Sequence, residues 1–304
     1  MSSSAATFPR VAVGAMLVIA AAISFIGWRS ARNLDAAHLA GVLPKQGVQV
    51  YLDFAALRQA GLLNLFAGAS VSEEPEYQKF VHDTGFDYRK DLDAAAITFN
   101  GGDMYAAVLG NFQWKNLSAY AVSQGGFCQD SICEMPASQT GKFISYYPLR
   151  GRVLALAVST NQRAAEKIGF RPSGELAAPR GAIEISGDGF VFDKSSALPP
   201  GAGAFLSPIS QANHADFFVA SDGGNLKLYL DADCNSAAQA ADLAKQLTST
   251  TTLLRNMLAR DKMTPRPDDL SGVLVGGEFA SHEKRATGKW PLDRRFIESL
   301  LGAR

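Results

Sequence analysis

Four stretches of the sequence carry residue types that could do chemistry. Ser281-His282-Glu283-Lys284 has the S-x-x-K spacing that, on a helix, sets a serine one turn from a lysine able to take its proton. Here the tetrad falls in a predicted strand turn. The companion S-D-N motif is absent, and Thr287-Gly288-Lys289 is the reverse of K-T-G, so a structural turn is the better reading. No Gly-x-Ser-x-Gly elbow, no phosphate-binding Gly-x-x-x-x-Gly-Lys-Ser/Thr loop and no dinucleotide glycine fingerprint occurs. His38, His82, His214 and His282 lie far apart without ligand spacing, which reads as surface placement and predicts no metal site. No cofactor is expected.

Asp83, Asp87, Asp91 and Asp93 form the densest carboxylate run. Hard cations need several oxygens, but this spacing is not that of a calcium loop, and Arg89 and Lys90 compete for the carboxylates. A solvated connector is expected. Asp188 and Asp193 flank Gly189 and read as turn residues. Cys234 precedes a long helix. A helix N-terminus can activate a thiol, although a small apolar residue packed beneath the helix is the plainer reading. Trp114, Tyr146, Tyr147 and Trp290 are assigned to the core rather than to a ligand groove.

Cys128-Gln-Asp-Ser-Ile-Cys133 places two thiols at either end of turn-type residues. Across a tight hairpin their Cβ atoms can approach to about 3.8 Å, as a disulfide requires. Zinc would need a second ligand pair, and none follows at ligand spacing. The Cys128–Cys133 disulfide is therefore expected, with a reduced structural pair as the alternative. A disulfide favours a compartment outside the cytosol.

The elements that position these residues follow from pattern. Residues 11–28, VAVGAMLVIAAAISFIGW, carry no charge and are bounded by Arg10 and by Arg29 and Arg32. As a helix they span about 27 Å, close to a hydrocarbon core. Ala20 and Ala22, the best small-residue cleavage positions, lie inside the run, so an uncleaved anchor is predicted rather than a cleaved signal. The flanking basic residues do not decide its orientation. Basic and acidic residues balance at 29 each, which argues against nucleic acid as a partner.

Beyond a connector over 29–45, the pattern predicts a first strand at 48–54 and helices over 55–67 and 73–82. Hairpins follow at 96–109 and 143–158, with helices at 116–122 and 161–168. The order then recurs: a strand at 181–185, a hairpin at 216–231, a helix over 236–260, a hairpin at 273–289 and a helix from Pro291. Asn100-Gly101-Gly102-Asp103 and Asp222-Gly223-Gly224-Asn225 turn the two corresponding hairpins. An internal repeat is expected.

Val50-Tyr51-Leu52-Asp53, Gly85-Phe86-Asp87 with Asp91-Leu92-Asp93, Cys128…Cys133, Leu198-Pro199-Pro200-Gly201, Asp269-Leu270-Ser271-Gly272 and Gly288-Lys289-Trp290-Pro291-Leu292 together resemble a pattern in uncharacterised exported bacterial proteins, grouped as a domain of unknown function. The resemblance covers most of residues 44–301. It implies an envelope-anchored α+β protein and carries over no catalytic residue.

The expectations are these. The fold class is α+β: two similar half-domains, 46–170 and 180–304, with antiparallel sheets packed against helices, preceded by a tail at 1–10 and a transmembrane anchor at 11–28. The protein sits in the bacterial inner membrane with its C-terminal part in the periplasm, as a non-enzymatic binding or scaffolding module. Its partners are the membrane and either an envelope protein or a small apolar ligand. The alternatives are an envelope hydrolase whose residues converge only in three dimensions, and a carrier of an apolar molecule.

Overall fold

The computed structural model describes residues 38–63, 75–169, 178–192, 203–222 and 225–300. The expected anchor at 11–28 and most of the boundary between the expected half-domains, 170–180, lie outside these residues. Among the described residues no helix is long and apolar enough to cross a membrane.

The protein is α+β, built on one large antiparallel sheet. Its strands are β1 (Val48–Leu52), β2 (Leu92–Asn100), β3 (Asp103–Gly110), β4 (Phe127–Gln129), β5 (Ile132–Pro136), β6 (Phe143–Arg150), β7 (Val153–Ser159), β8 (Ile183–Gly187), β9 (His214–Asp222), β10 (Asn225–Asp233), β11 (Glu278–His282) and β12 (Arg285–Leu292). The helices are α1 (Phe54–Gln59), α2 (Pro75–Thr84), α3 (Tyr88–Asp91), α4 (Trp114–Ser123), α5 (Gly203–Ile209), α6 (Ala237–Arg260), α7 (Leu270–Leu274) and α8 (Arg294–Leu300). The strand order is β11-β12-β10-β9-β8-β1-β2-β3-β7-β6-β5-β4. From the central β1–β8 pair, β2, β3, β7 and β6 run outward on one side and β9, β10, β12 and β11 on the other. The strands thus join in a single sheet.

Local chemistry sets the boundaries. Asp53 ends β1 and caps α1 by accepting from the Ala56 amide, and Ser236 caps α6 by accepting from the Gln239 amide. Gly101 and Gly102 take positive φ in the β2–β3 turn. Helix α1 stops at Gln59, well short of the expected residue 67, and Gly61 follows at φ +67°. The expected strand from Val273 instead begins at Glu278, because Asp269 caps the short α7. The expected helix over 161–168 is a single 3₁₀ turn, Ala164–Lys167. Pro291 ends β12 rather than opening a helix. It pairs with Lys227, and β11 stops opposite Lys289, so no neighbour needs its missing N–H.

Paired residues share a face of the sheet, and the register gives each face its contents. One face runs through Tyr146, Leu156, Ala106, Ile97 and Val50 on the β1–β7 side, then Ile185, Phe217 and Leu230 on the other. Helices cover it on both sides. Leu117 and Ala121 of α4 pack with Cys133, Tyr146 and Leu154, and α5 and α6 pack Phe205, Ile209, Leu243 and Leu247 against Leu230, Ala232 and Trp290.

The opposite face differs from one side to the other. On the β1–β7 side Tyr147, Ala155, Ala107, Ala96 and Tyr51 form one row. Residues 38–43 and the 3₁₀ turn lie on it and bury Leu39, Val42, Leu43, Ala164, Ala165 and Ile168. The two covering segments bond each other through the Gly169 amide and Val42 carbonyl at 3.0 Å. Tyr147 and Lys167 clip the 3₁₀ segment to the sheet, bonding the Ile168 carbonyl and the Tyr105 hydroxyl respectively. Beyond β1 the same row continues as Glu184, Phe218, Tyr229 and Lys289, and this part is charged and open.

Candidate functional site

The open part of that face holds the densest set of interacting polar side chains. Strand alternation puts Glu184 and Ser186 of β8 beside Phe218 and Asp216 of β9, with Tyr229, Asp231 and Asp233 of β10 next across. Arg180, just before β8, binds this set together. Its Nη1 lies 2.9 Å from Asp231, its Nη2 lies 2.8 Å from Asp216, and Nη2 also donates to Glu184 at 3.1 Å. The guanidinium sits 4.4 Å from the centroid of the Phe218 ring, which itself stacks on Tyr229 at 5.0 Å. Arg285 of β12 reaches Asp231 from the other side at 3.2 Å.

His214 forms the second focus. Its Nε2 lies 2.9 Å from the Ser186 Oγ and 3.2 Å from Asp216 Oδ1, and its Nδ1 faces Asp188 at 3.8 Å. The hydrogen bond to Asp216 holds the imidazole pKa above its ordinary value, against the opposing effect of burial, and the Asp216 and Asp188 charges add to the rise. Burial alone would raise Asp216. The His214 and Ser186 hydrogen bonds and the Arg180 charge outweigh it and hold that carboxyl below the usual range.

Between this network and the covering segment lies a cleft of about 680 Å³. Its apolar wall includes Leu43, Tyr51, Ala96 and Pro179, and its polar wall is the Arg180–His214 network, with Lys45 and Asp233 at the margins. Both sides of the β1–β8 pair contribute. Gly47 lies in this wall, where a Cβ would come within 2.0 Å of the Phe99 carbonyl, so only glycine lets the chain enter β1 this close to β2.

Ser186, His214 and Asp188 stand in the order of nucleophile, base and orienting carboxylate. The hydrogen bonding opposes that use. Nε2 faces a carboxylate that keeps a proton on it, and Ser186 itself bonds Asp216, so the imidazole is not poised to take the serine proton. As arranged, the group is an ion network with one aromatic platform, suited to recognition.

The residues singled out from sequence fall elsewhere. Ser281 and His282 end β11, while Glu283, at φ 52°, and Lys284 form the turn to β12. Asp87 does not lie in a solvated connector. It caps α3, is 6% exposed, and accepts from Arg89 Nε at 3.0 Å and Tyr77 Oη at 2.9 Å. Its neighbours disperse: Asp83 pairs with Lys79, Asp93 with Arg152, and Asp91 accepts from the Asp87 amide. Among the described residues no group of three His, Cys, Asp or Glu side chains is disposed to hold a metal ion. Cys234 is buried, and burial pushes its thiol pKa up, so it is not an activated nucleophile. Tyr146 and Trp290 are core residues, Tyr146 lifted to about 12 by burial. Cys128 and Cys133 face each other across β4 and β5 and are joined in a disulfide.

His214 was expected at the surface and Asp188 in a turn, and the sequence pattern did not reveal their convergence with Asp216. The signal was present in three strands as alternation: Glu184-x-Ser186, His214-x-Asp216 and Tyr229-x-Asp231-x-Asp233 each put polar or amphipathic groups on one face.

No protein-family model matches the sequence, and no curated protein matches it. Among solved structures, three crystal forms of TP0453, a Treponema protein, are similar over most of the chain. Form I has 9% identity and a TM-score of 0.48, covering 87% of this chain and 96% of that one. Form III has 10% identity and a TM-score of 0.45, and form IV 8% and 0.43. Each covers 87% of this chain, and 97% and 95% of its own, respectively.

Proposed function

We propose that this protein is a non-enzymatic binding or scaffolding module, anchored in the bacterial inner membrane and facing the periplasm, whose ligand site is the cleft at the β1–β8 pair. The observation that carries the reading is the cleft itself: about 680 Å³, apolar on one wall and ionic on the other. The anchor is supported by the uncharged run at 11–28. The periplasmic location is supported by the Cys128–Cys133 disulfide, a bond cytosolic reductants remove. The mirrored strand order about β1 and β8 supports a duplicated unit whose two half-domains, 46–170 and 180–304, meet at that pair. The cleft then lies where two copies join, a usual place for a ligand.

The test is native mass spectrometry of the full chain, exported in a bacterial host and released gently in detergent. A small-molecule or peptide adduct on the wild type, lost in Ser186→Trp, which fills the cleft, is the expected result. A clean mass for both proteins contradicts the reading.

A second reading is favoured by the 2.9 Å contact between Ser186 and His214: an envelope hydrolase using Ser186 as nucleophile. A fluorophosphonate probe that labels the wild type but not Ser186→Ala would establish it. The binding reading expects no labelling, because the His214 proton is held by Asp216.

A further inference from the structure

The two sides of the sheet use the same face differently, and the difference points to a class of partner. On the β1–β7 side the protein covers this face with its own chain, burying Leu39, Val42, Leu43 and Ile168. On the β8–β12 side the described residues reaching over the face at the cleft are Ala178, Pro179 and Arg180. Farther along the row Tyr229 is half-buried and Lys289 exposed.

The charge on this face is lopsided. The whole chain has equal numbers of acidic and basic residues. The cleft carries Glu184, Asp188, Asp216, Asp231 and Asp233 against Lys45, Arg180, Arg285 and His214, whose imidazole pKa Asp216 raises. Arg180 and Arg285 are already engaged by carboxylates of the set, and Lys289 on the adjoining strand is engaged by Glu278 at 2.8 Å. Two carboxylates at the margin are the least engaged. Asp188 is 63% exposed and meets only His214, at 3.8 Å, and Asp233 has no ion-pair partner among the described residues. Beside them run the apolar wall at Leu43 and Pro179 and the stacked Phe218–Tyr229 pair.

We propose that the uncovered face docks a cationic, partly apolar peptide segment of a partner protein, lying across β8–β10 as residues 38–43 lie across the other side. Successive side chains of an extended segment point to opposite faces, and those on one face recur about 6.6 Å apart. In the cleft one set can send lysine or arginine to Asp188 and Asp233 on the polar wall while the other meets the apolar wall at Leu43 and Pro179. An ammonium or guanidinium there replaces water around Asp233 and the exposed Asp188, whose one contact is the 3.8 Å approach to His214, and an acidic segment is repelled. This deepens the reading of the cleft as a binding site and rests on it.

The experiment is fluorescence anisotropy with the full chain in detergent and two labelled nonapeptides, one alternating Lys and Val, the other alternating Glu and Val. The Lys peptide is expected to bind about tenfold or more tighter, and to weaken as salt is raised from about 50 to about 300 mM. Asp188→Asn with Asp233→Asn, both at exposed positions, should weaken it about three- to tenfold without changing the melting temperature. Equal binding of the two peptides, or unchanged affinity in the double variant, overturns the proposal. If the Lys peptide fails while a native adduct is present on the wild type and absent from Ser186→Trp, the peptide class is wrong and the cleft remains a binding site. If neither peptide nor adduct is found, both readings fall.

Discussion

One face of the sheet passes from an alanine-lined core to an ionic surface within a single hydrogen-bonded row. Tyr147, Ala155, Ala107, Ala96 and Tyr51 are followed directly by Glu184, Phe218, Tyr229 and Lys289. The backbone is continuous across β1 and β8, so the difference lies in what covers each side. Alanines leave room for residues 38–43 and 164–168 to approach the strands, and each large side chain buried there contributes about 1.5–3 kcal/mol. Past β1 the row holds charged and aromatic side chains, and Arg180 ties Glu184, Asp216 and Asp231 together over the Phe218 ring. On this face the buried apolar contacts lie on one side of the seam and the charged groups on the other.

The largest effect that can break this comparison is on the covered side. Leu43→Ala should destabilise by about 2–5 kcal/mol, since its side chain is almost fully buried. Thermal melts would show this, and a loss under about 1 kcal/mol would mean that residues 38–43 are not a tight cover. The next effect belongs to the hairpin at the far edge. Cys133→Ala, or reduction, should cost about 2 kcal/mol for so short a loop, measured as a lower urea midpoint. On the open side the effects shrink. Arg180→Met leaves Glu184, Asp216 and Asp231 without their shared cation, but the group is solvated and the loss should be about 1 kcal/mol. A loss of several kcal/mol would make this network part of the core.

The pH dependence is smaller and has a defined sign. His214 faces Asp216 on its own strand, Ser186 and Asp188 from β8 and the segment after it, and lies opposite Asp233 of β10, with Arg285 next across on β12. Its pKa is raised on folding, so its stabilisation is complete below its ordinary value near 6.5 and is lost as pH rises through the raised one. Melting temperature should therefore fall slightly from pH 6 to pH 8, and Asp216→Asn should flatten that slope. A slope of opposite sign would contradict the His214–Asp216 pairing. Thr287→Val, on the open face of β12, should move stability by less than about 0.5 kcal/mol.

Much of this contrast can be read in the sequence. Ala94-Ala95-Ala96, Ala106-Ala107 and Val153-Leu154-Ala155-Leu156-Ala157 are unbroken small and apolar runs, the pattern of strands buried on both faces. Arg285-x-Thr287-x-Lys289 alternates with Ala286, Gly288 and Trp290, the pattern of a strand wet on one face. The long helix and the Cys128–Cys133 pair were legible because helical periodicity and hairpin geometry are local. The His214 network was not, because its members lie on separate strands and only register brings them together. Nor was Asp87, whose buried role depends on Tyr77 arriving from the preceding helix. The short α7 escaped because one turn leaves no periodicity to read, and the helix expected over 161–168 is reduced to the 3₁₀ turn at 164–167.

The central claim is that one side of this face is sealed and the other is available to a partner. Hydroxyl-radical footprinting of the full chain tests it directly, with Tyr105 reporting on the sealed side and Tyr229 on the other. The account predicts that Tyr229 is modified several-fold faster, and that the Lys-Val peptide protects Tyr229 while leaving Tyr105 unchanged. Equal modification of the two, or protection confined to Tyr105, would contradict it.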